Sequence, residues 1–351
     1  MTIGVFLPFG LSELVAATPM LRALRRHVGP EARLVGISQP RLAGALAGTE
    51  WLDEQWFFDP RPQRQEPRDW ALVRRMHVER VETVLLLCRS FRAAVLAWLG
   101  GAKERIGYAR HSRAHLLTRK LDYPNRRGRP GNRSMVDDYL KMAEAIGCPA
   151  EPANLELATT GAEELSADAV WANLGLRCDG RVLVVNPGAS VGSAKLWPVK
   201  HFGQLARRVA DELDHDVLVL CGPKDRQVAQ EVVVNAAHPR VFSMADQALD
   251  LGTAKACVKR CRMLVSGDSG MRFVAAAFGK PVVTLFGPTQ PNWKGGSVKG
   301  AIDLSLDLGC TGCQNRICPL RHHQCMVDLA VDVVYRQVAR LLETSLAACA
   351  A

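Results

Sequence analysis

The strongest constraint on this chain is a rhythm that it repeats twice. Short β-branched runs end in Gly, Pro or Asp turns and are followed by amphipathic stretches of helical length, the pattern of parallel α/β sheets. In the first half, Ile3 to Leu7, Arg33 to Ile37 and Thr83 to Leu87 read as strands. Leu14 to His27 reads as a helix with Leu14, Ala17, Leu21 and Leu24 on one face, and Met135 to Ile146 as another, stopped by Gly147 and Pro149. In the second half Val182 to Val185, Val217 to Leu220, Met263 to Val265 and Val282 to Phe286 are strands, and a final helix covers Leu329 to Leu342. Between them, Glu151 to Asp179 is polar and Ala-rich, and the domain junction is placed there. At 351 residues the chain has the length of two ordinary domains.

In open parallel sheets, ligands bind beyond the carboxyl ends of the strands. The turns at those ends are therefore where function is sought. The first is Leu7-Pro8-Phe9-Gly10-Leu11-Ser12-Glu13, which lacks the G-x-G-x-x-G of a dinucleotide site. Its carboxylate, Glu13, would repel a phosphate but could deprotonate a hydroxyl. The plainer reading has Ser12 as an N-cap and Glu13 as a first-turn acid favoured by the helix dipole.

Asn186 to Pro198 reads NPGASVGSAKLWP: Gly188, Ser190, Gly192 and Ser193 precede a single cation, Lys195. Exposed amides, hydroxyls and one lysine are the groups that hold a pyrophosphate, although the Walker register is absent. The alternative is a Gly/Ser loop with a solvent lysine. Trp197 is read as a packing residue. Ser266 to Gly270 reads SGDSG and opens a helix over Met271 to Phe278, where Ser269 and Gly270 could hold phosphate oxygens and Asp268 a pair of sugar hydroxyls. Gly287-Pro288-Thr289 adds a donor at the next strand end. Three such loops on neighbouring strands suggest a nucleotide-linked sugar.

Charge and cysteine usage narrow the partners. Gly101 to Arg133 holds ten Lys/Arg against Glu104 and Asp122, most of the chain's net +10. Such a block suits an anionic ligand or surface, or is a solvated basic loop. Only Tyr108 and Tyr123 interleave it, so nucleic acid is not expected as a partner. MTIGVFLPFG shows no basic region ahead of an apolar stretch, and no apolar run approaches the ~20 residues that span a bilayer, so neither a signal peptide nor a membrane span is expected. Eleven cysteines then point to thiols or metal in a reducing compartment. Cys310, Cys313, Cys318 and Cys325 lie within sixteen residues, beside His322 and His323. Their readings are a structural zinc, free buried thiols or a disulfide pair.

Taken in order, these motifs resemble glycosyltransferase family 9, the ADP-heptose:lipopolysaccharide heptosyltransferases. The resemblance runs through Thr18-Pro19 and Leu21-Arg22-Ala23-Leu24-Arg25, then Ser90-Phe91-Arg92 and Arg105-Ile106-Gly107-Tyr108. It continues through Pro187-Gly188-Ala189 with Lys195-x-Trp197-Pro198, Asp268-Ser269-Gly270, and Gly287-Pro288-Thr289. The cysteine segment with Cys325-Met326-x-Asp328 looks most like the heptosyltransferase II branch. The resemblance implies a GT-B fold, two Rossmann-like domains facing across a cleft. Its expected parts are an acceptor domain over 1–160, a linker over 161–180, a nucleotide-sugar domain over 181–330 and a carboxy-terminal helix over 331–351. It implies inverting transfer of heptose from an ADP-sugar to an anionic lipopolysaccharide inner-core acceptor, with no cofactor for catalysis, by a cytoplasmic enzyme peripheral on the inner membrane. Glu13 stands at the family's Asp base, Lys195 would hold the diphosphate, and Asp268 the heptose hydroxyls. Ser269, Gly270 and Thr289 would line the sugar-phosphate, Ser190 would bind substrate from the Lys195 loop, and Asp225 would reach the ribose. Two departures stand out. Ser12-Glu13 replaces the family's Gly-Asp, moving the base by one methylene, ~1.5 Å, a displacement that can cost ~100-fold in rate. Phe273 replaces a usual His. A binding homologue with altered donor or acceptor, or with reduced activity, is the alternative.

Overall fold

The computed structural model describes residues 1–59, 66–109, 111–122, 134–188, 192–289 and 301–350. The chain divides into two compact units, Met1–Ala158 and Thr159–Ala351.

The first unit contains β1 (Thr2–Phe6), α1 (Leu11–Ala16), α2 (Thr18–Val28), β2 (Arg33–Ser38), β3 (Glu54–Phe57), α3 (Glu66–Val78), β4 (Val81–Leu86), α4 (Phe91–Leu99), β5 (Glu104–Ala109), β6 (Arg119–Asp122) and α5 (Met135–Ala145). Its sheet runs β3-β2-β1-β4-β5-β6, every pairing parallel. Phe6, Ile37, Trp56, Val84 and Leu86 from the strands pack with Met76 of α3 and Leu96 of α4 in one core. Both faces of the central strands are covered, so Val5 and Phe6 of β1 and Val84 to Leu86 of β4 are apolar and buried in succession rather than in alternation.

The second unit contains α6 (Gly161–Leu174), β7 (Val182–Asn186), α7 (Val199–Glu212), β8 (Asp216–Val219), α8 (Arg226–Ala236), β9 (Val241–Ser243), α9 (Leu251–Arg260), β10 (Met263–Gly267), α10 (Met271–Ala277), β11 (Val282–Phe286), β12 (Ala301–Ser305), α11 (Gln324–Val327) and α12 (Val331–Ala350). The order β12-β11-β10-β7-β8-β9 is again wholly parallel. Counted from its own first strand, this sheet has the same wiring as the other. In both, the strand order reverses beside the first strand, where doubly wound sheets open a crevice. These are two Rossmann-like units of the GT-B class.

Two expected elements differ. The helix read over Leu14 to His27 is two helices, because Pro19 supplies no amide and restarts the chain at the first turn of α2. The residues expected as a linker over 161–180 begin with α6, fixed at its start by a capping box between Thr160 and Glu163. The polar stretch is divided by two ionic staples. Arg22, buried in α2, holds Glu151 and Glu156 and the carbonyls of Pro152 and Asn154, tying residues 151–156 to the first unit. Glu164 of α6 binds Lys259 and Arg260 of α9, and Glu163 binds the buried Lys255, tying α6 to the second. Among the described residues, no helix is long and apolar enough to cross a membrane.

Candidate active site at two strand-order reversals

In the first unit, the turn after β1 and the turn after β4 meet at the reversal point. Pro8, Phe9 and Glu13 from one, with Leu87, Cys88, Arg89 and Ser90 from the other and Tyr139 of α5, line a cavity of about 360 Å³. Glu13 sits in the first turn of α1, whose N-cap is Gly10; Ser12, expected as the cap, lies inside the helix. The Glu13 carboxylate folds back over Gly10, so that a Cβ on residue 10 would come within 2.8 Å of Glu13 Oε2. The extra methylene of glutamate is accommodated over the one residue without a side chain.

Behind Cys88 and Tyr139, groups that sequence reasoning missed, Arg113 and Tyr108 among them, line a second and smaller cavity. Arg113 comes from the basic block but is not solvated. It is 3% exposed and donates to the carbonyl of Cys88 at 2.6 Å and to that of Tyr108 at 3.1 Å. Tyr108 donates to the carbonyl of Asp138 at 2.5 Å. Burial, and then the negative charge of Glu13, hold the Tyr139 phenol protonated well above its usual range. Cys88 is likewise pushed up by burial, to about 11, and stays a thiol. Elsewhere in the block Lys103 pairs with Glu82, while Arg105 bonds the Leu116 and Ala102 carbonyls. Much of the described charge is therefore structural. Arg110, Tyr123, Arg126, Arg127, Arg129 and Arg133 lie outside the described residues.

In the second unit, the turns after β7, β10 and β11 come together. Lys195 Nζ lies 2.5 Å from Asp268 Oδ2, and Thr289 Oγ1 donates to the same oxygen at 2.9 Å. Arg272 approaches the other oxygen, its Nε 3.6 Å from Oδ1. The Asp268 side chain is only 9% exposed. Burial alone would raise its carboxyl, but Lys195, then Arg272 and Thr289, hold it below the usual carboxylate range. Asn186, at the end of β7, donates to Ser266 Oγ at 3.1 Å and Ser269 Oγ at 2.9 Å, locking the β7 and β10 turns together. Ser269 is thus spent within the protein through its hydroxyl, while Gly270 caps α10 and its carbonyl takes the Phe273 and Val274 amides. Asp225, the N-cap of α8, faces the β7 turn: a Cβ on Gly188 would meet its Oδ2 at 2.8 Å, and burial raises its carboxyl. Ser190 lies outside the described residues.

The cysteine segment buttresses these turns. Ala194 N donates to the Arg316 carbonyl at 3.2 Å, and Gln314 N to the Pro288 carbonyl at 2.7 Å. Gly192 has φ +84, and a Cβ there would lie 2.3 Å from Arg316 O. Only glycine fits both the conformation and the approach. Among the described residues, no group of three or more His, Cys, Asp or Glu is arranged to hold a metal. Of the readings for Cys310, Cys313, Cys318 and Cys325, a disulfide pair is absent and a zinc site is not shown; Cys310 Sγ lies 4.0 Å from His322 Nε2. The chain between them docks onto the strand ends.

Trp197 is buried as expected, donating to the Leu329 carbonyl at 2.9 Å. Phe273 is also buried, and Arg272 Cζ sits 4.4 Å from its ring and 5.1 Å from that of Phe286. Arg272 was missed, although a lone charge in the otherwise apolar run Met271 to Phe278 was the signal for it.

The sequence pattern of glycosyltransferase family 9 (heptosyltransferase) matches residues 69–324. A lipooligosaccharide heptosyltransferase 2 of Haemophilus ducreyi is 30% identical over 278 residues, covering 74% of this chain and 76% of that protein. Another of that name, from Campylobacter jejuni subsp. jejuni serotype O:2, is 30% identical over 177 residues, 48% of this chain and about half, 54%, of the relative. Among solved structures, the ADP-heptose lps heptosyltransferase II of E. coli superposes with a TM-score of 0.79 at 22% identity, over 98% of this chain and 99% of that one. With its two doubly wound sheets and a family match across most of its length, the chain belongs to glycosyltransferase family 9, a family of heptosyl-transferring enzymes.

Proposed function

We propose that this enzyme moves a heptose from ADP-heptose to a lipopolysaccharide inner-core acceptor, with inversion at the anomeric carbon and without a catalytic metal. The carrying observation is the contrast between the two reversal points: a lone carboxylate in a cavity in one unit, a lysine on a buried aspartate in the other. In this reading the first unit takes the acceptor and the second the donor.

Glu13 accepts the proton of the acceptor hydroxyl, whose oxygen attacks the anomeric carbon as the bond to the diphosphate oxygen breaks. The electron pair leaves with ADP. Lys195 neutralises the charge that develops on the diphosphate, the part of the barrier that fixed electrostatics lowers most. Asp268, kept ionised, accepts hydrogen bonds from sugar hydroxyls, with Thr289 orienting it. Asp225, beside Gly188, is placed to serve the ribose.

The two named relatives support the substrate class. The described basic residues Lys120 and Arg119, both exposed, agree with attraction to an anionic lipid surface at the cytoplasmic face of the inner membrane. Vesicle pelleting at low salt checks that part: equal pelleting with neutral and anionic lipid removes it.

A second reading, an ADP-sugar binder of reduced or altered activity, is favoured by the folded-back Glu13. ADP release from ADP-heptose, measured with and without inner-core acceptor, separates the two. Acceptor-dependent release, absent with UDP- and GDP-sugars, is expected. ADP binding without any such release leaves the second reading standing, and failure to bind ADP contradicts both.

A further inference from the structure

Arg272 is an anomaly of the second unit. It is fully buried, at 0% exposure, and among the described residues its Nε, Nη1 and Nη2 have no hydrogen-bond partner. A buried guanidinium is costly unless its charge is used. Two aromatic faces, Phe273 and Phe286, and two carboxyls, Asp268 and Asp303, are what it has for compensation. Its nearest approach to a carboxylate is 3.6 Å, beyond a hydrogen bond but within one small side-chain movement of it.

The arrangement around Asp268 explains what that reserve is for. Lys195 and Thr289 both engage Oδ2, leaving Oδ1 to Arg272. On the reading that Lys195 serves the donor diphosphate, its ammonium has to turn from Asp268 when the donor arrives. That movement would strand a carboxylate whose side chain is 9% exposed. A stranded buried carboxylate takes up a proton, and then loses the charge that strengthens the bonds it accepts from sugar hydroxyls.

We infer that Arg272 is a positioning residue of the donor site: a resident cation that closes on Asp268 Oδ1 as Lys195 leaves Oδ2 for the diphosphate, so that the aspartate remains charged and in place in the loaded enzyme. The departure at Phe273 belongs to the same device. Its ring, with that of Phe286, supplies the face on which the guanidinium rests between partners.

The charged groups that bear on Asp268 are Lys195, Arg272 and Asp303. Without Arg272, ADP binding would draw away Lys195, the one cation left beside Asp268 among the described residues. The carboxyl would then rise in the complex, ADP binding would be accompanied by proton uptake, and affinity would improve as pH falls. With Arg272 present, that coupling is suppressed. The terminal phosphate of ADP titrates in the same range but does so equally in every variant.

The test is calorimetric titration of the full chain with ADP at pH 6 and pH 8, in buffers of different ionisation enthalpy. R272M and R272Q are expected to bind about tenfold more weakly than the parent at pH 8 and to take up about half a proton more on binding at pH 6. R272K, which keeps the charge, should recover most of both. Thermal midpoints of R272M at or above the parent's are expected, because an orphaned buried cation has been replaced by an apolar side chain of similar size. Folded R272M and R272Q with parental affinity and parental proton uptake overturn the inference while leaving the donor assignment intact. A parent chain that binds no ADP overturns both.

Discussion

The two reversal points share a topology and diverge in chemistry. In the first unit the turns after β1 and β4 leave a carboxylate facing a cavity, against Tyr139, Arg89 and the thiol of Cys88. In the second unit the corresponding turns, after β7 and β10, close on one another through Asn186, Ser266 and Ser269, and gather cations about one acid. The open arrangement suits a reacting hydroxyl that must enter and lose a proton. The cross-braced one suits an anion that must be held while charge develops on it. One backbone plan therefore serves opposite electrostatic tasks through a handful of turn residues, which is why the fold alone does not determine function.

The largest expected effect is on the open side. Glu13→Gln keeps shape and removes the base, so acceptor-dependent turnover should fall by about 10³-fold; turnover within about threefold of the parent would mean that the proton goes elsewhere. On the braced side, Gly192→Ala drives a Cβ against a backbone carbonyl at a positive φ. The Lys195 turn must then shift, and donor KM should rise by about 30-fold while the acceptor KM stays put. A change in both would blur the division between the two points.

Gly10→Ala sharpens the comparison more gently. The clash is with the tip of a flexible side chain, Glu13 Oε2, so kcat should drop about tenfold with little change in melting temperature. The smallest effect concerns a staple. Against the lifting effect of its own partial burial, bonds from Lys259, Thr159 and Arg260 hold the Glu164 carboxyl down at about 2. A carboxyl depressed on folding stabilises above its unfolded value and loses that contribution as pH falls through the folded one. Glu164→Gln should therefore lower stability by on the order of 1 kcal/mol at pH 7, allowing for solvent screening, and the gap should close as pH falls from the usual carboxylate range to about 2. A gap that persists there would show the staple to be packing, not charge.

Central strands were readable from the sequence and outer ones were not. β1, β2, β4, β7, β8, β10 and β11 are apolar runs because helices cover both faces. The outermost strands β3, β6, β9 and β12 were missed, as was β5. β6, Arg-Lys-Leu-Asp, has three exposed residues of its four, the polar guise an edge strand takes to avoid pairing with strangers. The site divides similarly. Glu13, Lys195, Asp268 and Thr289 stand in turns whose composition announces them. Arg113 and Tyr139 come from the basic block and from a helix, and only the fold carries Tyr139 to the cavity and Arg113 to the Cys88 carbonyl behind it. Nor could spacing tell that the cysteine segment docks on the turns after β7 and β11.

The most direct measurement is ADP affinity, by calorimetry at one pH, for the parent, Glu13→Gln and Lys195→Ala. If charge is divided between the two units as described, Glu13→Gln binds ADP like the parent and Lys195→Ala binds it about 100-fold more weakly. Undiminished affinity in Lys195→Ala, or its loss in Glu13→Gln, would contradict the division.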